Sequence, residues 1–187
     1  TLFTSDYVGM TTINTITAQN CGLTIFSSRF GAGNSTSLQT LNLNNQAAGT
    51  TNANTFTSID ISKYVSLTTL NLSFNTNLTT ISNLNSATSL NSFQAENCGL
   101  TNCNFTFPTS LKTINLAKNN FGSNFTSSLS TLTATLNLNF TRCGLTSAKI
   151  NQILNGLVTG GSLNGTLNLG NAGTGGALNL NSDSTSG

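Results

Sequence analysis

The apolar positions of this chain recur as a fixed phrase. In residues 66 to 75, Ser-Leu-Thr-Thr-Leu-Asn-Leu-Ser-Phe-Asn, leucines stand at the first, fourth and sixth places (Leu67, Leu70 and Leu72) and Asn75 stands at the ninth. Residues 38 to 46 repeat the phrase with Leu38, Leu41, Leu43 and Gln46, and residues 111 to 119 with Leu111, Ile114, Leu116 and Asn119. Aligned on the fourth place, the series reads Ile16, Leu41, Leu70, Phe93, Ile114, Leu138 and Leu167, in steps of 21 to 29 residues. Two apolar residues two apart point to one face of a strand, and the residues flanking them point to the other. A phrase of this length cannot bury its apolar face alone, so each copy must stack on the next. The pattern predicts parallel strands around Ile16, Leu41, Leu70, Phe93, Ile114 and Leu138, in register and joined by segments of unequal length.

The ninth place supports the same alignment. Cys21, Cys98 and Cys143 each precede Gly-Leu, and each lies five residues beyond Ile16, Phe93 and Leu138, where Asn75 and Asn119 stand in other copies. An Asn amide or a small thiol inside the turn satisfies backbone groups that would otherwise be buried without partners. Cys21, Cys98 and Cys143 are therefore expected to be reduced and buried. A disulfide or metal framework is the functional alternative, but copies one, four and six stand too far apart to bridge. Cys103, between strands, is left as the one cysteine for redox chemistry.

Between the strands, Phe26, Phe56, Ile59, Leu78, Ile81, Phe105, Phe107, Phe121 and Phe125 are expected to complete the core from irregular segments, the Phe residues forming a spine. Residues 31 to 36 and 47 to 55 lack apolar spacing and read as loops. Residues 147 to 158 break the pattern: Ile150, Ile153, Leu154, Leu157 and Val158 recur at helical spacing, with Ser147 as the cap and Gly160 past the end. Its apolar stripe suits packing on the strands, and docking on a partner is the alternative. The stretch from 165 to 171 carries the last copy, and Ala177-Leu178-Asn179-Leu180 a further strand. One domain spans 1 to 187, with copies over about 13 to 171 and a terminal cap over about 147 to 187.

The outward residues of successive strands form rows. Thr40, Thr69 and Thr113 belong to the first, Asn42, Asn71, Gln94, Asn115 and Asn139 to the second, and Asn44, Ser73 and Glu96 to the third. Lys118 and Arg142 border this strip, and Glu96 is placed to pair with Lys118. Like residues stack well across strands, so the rows have a packing role. A neutral face dense in amides and hydroxyls also suits a glycan or protein surface.

Composition narrows the chemistry. Charged residues make up 5% of the chain and the formal net charge is +2, too weak a field to expect nucleic acid. Asn, Thr and Ser supply nearly half of the residues, a bias of β-rich, uncharged surfaces outside the cytosol. With no His and four carboxylates (Asp6, Asp60, Glu96 and Asp183), neither a Ser-His nor a Cys-His arrangement can be built. The chain reads as a non-enzyme. No ligand cluster has metal spacing, no phosphate-binding motif is present, and no apolar run is long enough to insert in a membrane, so no metal, no cofactor, no nucleic acid and no membrane insertion are expected. The start at Thr1 without a signal-peptide pattern leads us to expect a processed product or part of a longer chain.

The repeated L-x-x-L-x-L-x-x-N/C phrase over residues 13 to 171 resembles the leucine-rich repeat family. That resemblance implies an α/β repeat fold: a leucine-rich-repeat solenoid with a short parallel sheet on its concave face, irregular convex segments and one helix near the C-terminus. The Asn- and Thr-rich copies, Ile-Asn-Gln-Ile-Leu at 150 to 154 and Gly-Thr-Leu-Asn-Leu at 165 to 169 also resemble leucine-rich regions of bacteriophage virion proteins (spike, tail or head fibre). This second resemblance implies a virion surface protein that attaches to a host cell-surface glycan or protein and contacts other virion proteins. A secreted or surface-anchored bacterial adhesin is the alternative, and an ice-binding array, which needs a flatter face, stands third.

Overall fold

In the computed structural model, which describes residues 12–26, 36–45, 51–133, 136–161 and 164–170, each copy of the phrase becomes a strand of three or four residues. In chain order the elements are β1 (Thr15–Thr17), β2 (Thr40–Asn42), β3 (Ser58–Asp60), β4 (Thr69–Asn71), β5 (Thr80–Ser82), β6 (Ser92–Gln94), β7 (Thr113–Asn115), β8 (Leu136–Asn139), the helix α1 (Ser147–Thr159) and β9 (Gly165–Asn168). Seven of the strands build one open parallel sheet in the order β1, β2, β4, β6, β7, β8, β9. This is an α/β fold with a repeat-like parallel arrangement.

Register follows the fourth place of the phrase. Ile16 lies opposite Leu41, Leu41 opposite Leu70, Leu70 opposite Phe93, Phe93 opposite Ile114, Ile114 opposite Leu138, and Leu138 opposite Leu167. A slip by one residue would exchange leucines for threonines in the core, which is why the alternation fixes pairing so firmly. Leu67, Leu70 and Leu72 are fully buried, as are Leu41, Leu43, Leu111, Ile114 and Leu116. Each such side chain contributes about 1.5–3 kcal/mol by leaving water.

The connecting segments are more regular than the spacing suggests. β3 and β5 form a second, two-stranded parallel sheet, with Ile59 opposite Ile81, and Cys103 makes an isolated parallel bridge to Phe125. These residues were expected to be irregular. They become extended because each buries one side chain inward while its neighbours stay out, the same alternation on a shorter scale. The aromatic spine is two edge-on groups: Phe105 touches Phe93 and Phe107 at centroid distances of 5.8 and 5.9 Å, and Phe125 touches Phe121 and Phe140 at 6.2 and 5.5 Å. Tyr64 is fully buried against Phe26, and burial pushes its phenol well above the ordinary tyrosine range.

Helix α1 spans the expected residues, but its N-cap is Thr146 rather than Ser147, and Gly160 closes it in right-handed conformation. Ile150 and Ile153 are buried while Val158 is 67% exposed. Gly156 and Gly160 let the helix approach residues 129 to 132: a Cβ at Gly160 would stand 2.8 Å from the Leu132 carbonyl oxygen. The helix therefore packs on its own fold through Ile150 and Ile153. The expected strand at 177 to 180, the loop over 31 to 35, and Gln46 lie outside the described residues.

Candidate functional site

The outward strip is shaped by the turn that ends each strand. Asn42, Asn71, Asn115, Asn139 and Asn168 each accept, at Oδ1, the backbone N–H two residues on, at 3.3, 3.0, 3.2, 3.1 and 3.0 Å. These are Asx turns, a local alternative to the ladder that short amides provide. Three residues after the second-row positions Thr17, Asn71, Gln94, Asn115 and Asn139 the backbone turns left-handed, at Asn20, Phe74, Asn97, Lys118 and Arg142, with φ between 50° and 64°. Asn is suited to that conformation; Phe, Lys and Arg are not, and they are held there by the fold around them. The ninth-place residue follows immediately.

At the ninth place the expectation holds in detail, with two corrections. Asn75 Nδ2 donates to the carbonyls of Leu43 and Leu72 at 3.0 and 2.7 Å, and Asn119 Nδ2 to those of Ala95 and Leu116, both at 2.8 Å. Cys98 and Cys143 donate to Leu72 and Leu116 at 3.2 and 3.1 Å. A continuous ladder of inward carbonyls is thereby satisfied. In the second copy, Asn54 does this work: its Nδ2 donates to Ala18 and Leu43 at 2.9 and 3.0 Å, and its Oδ1 accepts from the N–H groups of Cys21 and Leu23. Asn54 falls inside the stretch read as a loop. Its sequence position hides it, because the insertion before it moves the buried amide eight residues past the ninth place, where Gln46 stands. Asn45, also buried, holds the insertion closed by accepting the Asn54 N–H at 2.8 Å.

Cysteine burial divides the four thiols. All are free. Cys98 and Cys143 are buried, and burial pushes both thiols up to about 12. Cys21 is exposed, contrary to expectation: among the described residues its thiol donates to the carbonyl of Gln19, and Asn54 serves the inward carbonyl of Ala18. Cys103, expected as the redox-capable thiol, is instead fully buried beside the Ser127 hydroxyl and likewise pushed up to about 12 by burial. The three buried thiols have almost no thiolate at neutral pH, so they are inert.

Of the strip residues, Thr40, Asn42, Asn44, Thr69, Asn71, Gln94, Glu96, Thr113, Asn115 and Asn139 are half-buried, and Lys118 and Arg142 exposed. Ser73 is buried, as is Ala117 in the same row, so Ser73 offers little to a ligand. The cause is local: Gln94 replaces the row's Asn, and its longer side chain bonds Ser92 instead of closing an Asx turn. The N–H of Glu96 is then taken by Ser73 Oγ at 3.3 Å. Glu96 is the charged centre of the strip. Lys118 Nζ lies 2.6 Å from its Oε1, and Asn115 Nδ2 donates to Oε2 at 3.0 Å. Partial burial acts to raise this carboxyl, but the hydrogen bonds from Lys118 and Asn115 and the Lys118 charge outweigh it and hold it below the usual range. Lys118 also stands 5.9 Å over the Phe74 ring. Asn42, Asn71 and Asn139, on the outward row, have spent Oδ1 on their turns and keep Nδ2 with no partner among the described residues.

Among the described residues no group of three or more His, Cys, Asp or Glu is placed to hold a metal ion, and no helix is long and apolar enough to cross a membrane. Comparison with known proteins finds no matching family model, no matching relative and no matching solved structure.

Proposed function

We propose that the chain is a leucine-rich-repeat solenoid that works without catalysis as an attachment module on the surface of a bacteriophage virion, and that it holds a host cell-surface glycan or protein across the outward strip centred on Asn71, Gln94, Asn115 and Asn139. The observation that carries this reading is the polarity of the amides. Where the turn consumes Oδ1 and no neighbour takes the amide, at Asn42, Asn71 and Asn139, the row offers N–H donors of one sign, Asn42 and Asn71 on paired strands about 4.8 Å apart and Asn139 three strands beyond Asn71. Such a row suits a repeating array of acceptors, the hydroxyl and carbonyl oxygens of a neutral glycan or an extended protein edge. Glu96, Lys118 and Arg142 add acceptor and donor at the centre. The strip is held by neighbours on both sides, so little ordering is lost on binding.

The test exploits the turn. Asn71→Asp together with Asn139→Asp keeps Oδ1 and the turn but removes the outward donors. Adsorption to host cells and to their isolated envelope glycans is expected to fall by about tenfold or more, one to two hydrogen bonds' worth. Adsorption that survives this pair and is lost only when residues 51 to 53 are altered would move the function to the connecting segments.

A further inference from the structure

The second sheet is interrupted at one place. β5 pairs with β3 on one side, and Cys103 pairs with Phe125 further along, but among the described residues no backbone hydrogen bond joins β5 to the Asn102–Thr106 stretch beside it. Between them lies a cleft of about 390 Å³. The main sheet shows no such break at this level, since β4 and β6 are directly paired. The two layers therefore diverge here.

Both walls direct backbone groups into the cleft. In a parallel ladder a residue sends its N–H and C=O to one neighbour and the next residue sends its own to the other. β5 meets β3 through Thr80 and Ser82: Thr80 N–H donates to Thr57 and Ser82 C=O accepts from Ile61. The N–H and C=O of Ile81 thus face the cleft. On the far wall, Cys103 N–H donates to Asn124 and Cys103 C=O accepts from Thr126 and Ser127, which leaves the backbone groups of Asn102 and Asn104 directed back toward β5. The two edges run parallel and offer complementary ladders, the unpaired strand edges that proteins ordinarily cover.

Size and chemistry point the same way. One strand residue occupies roughly 160 Å³, from about 4.8 Å between strands, 3.3 Å of rise and 10 Å of sheet thickness. The cleft thus holds two to three residues, the length of β3 and β5 themselves. Among the described residues no charged side chain lines it, and the Asp60 carboxylate is engaged by Asn83 at 2.9 Å. The side chains of Asn85, Asn102 and Asn104 line the cleft without partners among the described residues, while Ile81 and Phe105 are nearly buried and offer no exposed ring for a sugar to stack on.

We propose that this cleft accepts an extended, uncharged peptide segment of a partner protein as an added strand, paired with Ile81 on one side and with Asn102 and Asn104 on the other. Main-chain hydrogen bonds supply the affinity, and a lining of Asn, Thr and Ser side chains with no counter-charge disfavours a charged segment. The test uses a pool of uncharged seven-residue peptides alternating Thr or Ser with Val, titrated onto the whole chain while amide exchange is followed at Ile81 and Asn104. Binding should slow exchange at both. Each central peptide nitrogen faces one wall or the other, so methylating any of them should weaken binding by about tenfold for each lost bond, while methylating the nitrogens at the peptide's ends, beyond the cleft, leaves it within about twofold. Thr80→Arg, at an exposed rim position, should abolish binding with the fold intact. Absence of binding by the pool, insensitivity to which nitrogens are methylated, or protection of the same amides by neutral oligosaccharides instead of peptides would each overturn the proposal.

Discussion

The main sheet and the β3–β5 sheet are built from the same kind of strand, yet one runs unbroken through seven strands and the other stops after two. Both send apolar side chains inward, Leu70 from β4 and Ile81 from β5. The difference lies at the strand ends. Beyond β4 comes a closed Asx turn, a left-handed residue and buried Asn75, whose two donors tie Leu43 and Leu72 of adjacent copies together. Beyond β5 comes Asn83, also left-handed, but exposed, with its amide on Asp60 at the surface. A strand such as β4 is thus kept in the sheet by the buried polar group that joins its end to the neighbouring copy as well as by its own side chain.

That contrast predicts a large asymmetry. Asn75→Ala removes one of the two donors that serve each of the Leu43 and Leu72 carbonyls, Asn54 and Cys98 keeping the other, and is expected to cost about 2 kcal/mol, at about one per buried hydrogen bond, whereas Asn83→Ala should cost under about 1 kcal/mol. Urea unfolding of the two variants measures the difference directly, and similar midpoints would remove the buried amide from its role. Asn54→Ala should behave like Asn75→Ala, because Asn54 serves Ala18 and Leu43 in the same way despite its place in an insertion.

The cysteine copies sharpen the comparison at smaller scale. Cys98 donates one bond to the carbonyl Asn75 also serves, so Cys98→Ala is expected to cost about 1 kcal/mol. In the native chain a thiol reagent should modify Cys21 quickly and leave Cys98, Cys103 and Cys143 untouched until the protein unfolds. Since burial lifts those three thiols to about 12, they stay neutral in the fold while the unfolded chain ionises, so stability should decline from about pH 8.5 upward. Rapid labelling of Cys98 or Cys143 in folded protein would contradict their inward placement.

The smallest expected effect belongs to the outward face. Glu96 is held below the usual carboxylate range, so its contribution to stability is complete above the unfolded value and is lost as pH falls through the lower, folded one. With Lys118 partly exposed, Glu96→Gln should change stability by less than about 1 kcal/mol. An NMR titration of the Glu96 carboxyl should show its midpoint rise toward the ordinary value in Lys118→Ala. A midpoint unmoved by that substitution would assign the shift to Asn115 alone.

The strands and their register were legible because period-two alternation is a local property. A leucine two residues from another faces the same way whatever surrounds it, and stacking copies with the same phrase leaves one pairing that buries them all. Asn75, Asn119, Cys98 and Cys143 were legible for a related reason: their distance from the strand is constant, so the same carbonyls come within reach. Where the distance changes, the pattern is silent. Asn54 acquires the same role from an insertion, and Cys21 loses its inward place to it, because what satisfies a buried carbonyl is decided by which amide reaches it in space. The outward row was likewise half read. Its residues were found from alternation, but that Asn42, Asn71 and Asn139 spend their oxygens on their own turns and keep only donors depends on backbone curvature after the strand, and so does the replacement of that turn by Ser73 beside Gln94. The interruption beside β5 has no sequence signal at all. The amino-acid order determines which side chains go inward and which copies pair; the packing of Phe105 on Phe93 and the divergence of the two layers, which follow only when every copy is stacked on the next, decide which backbone edges are left open.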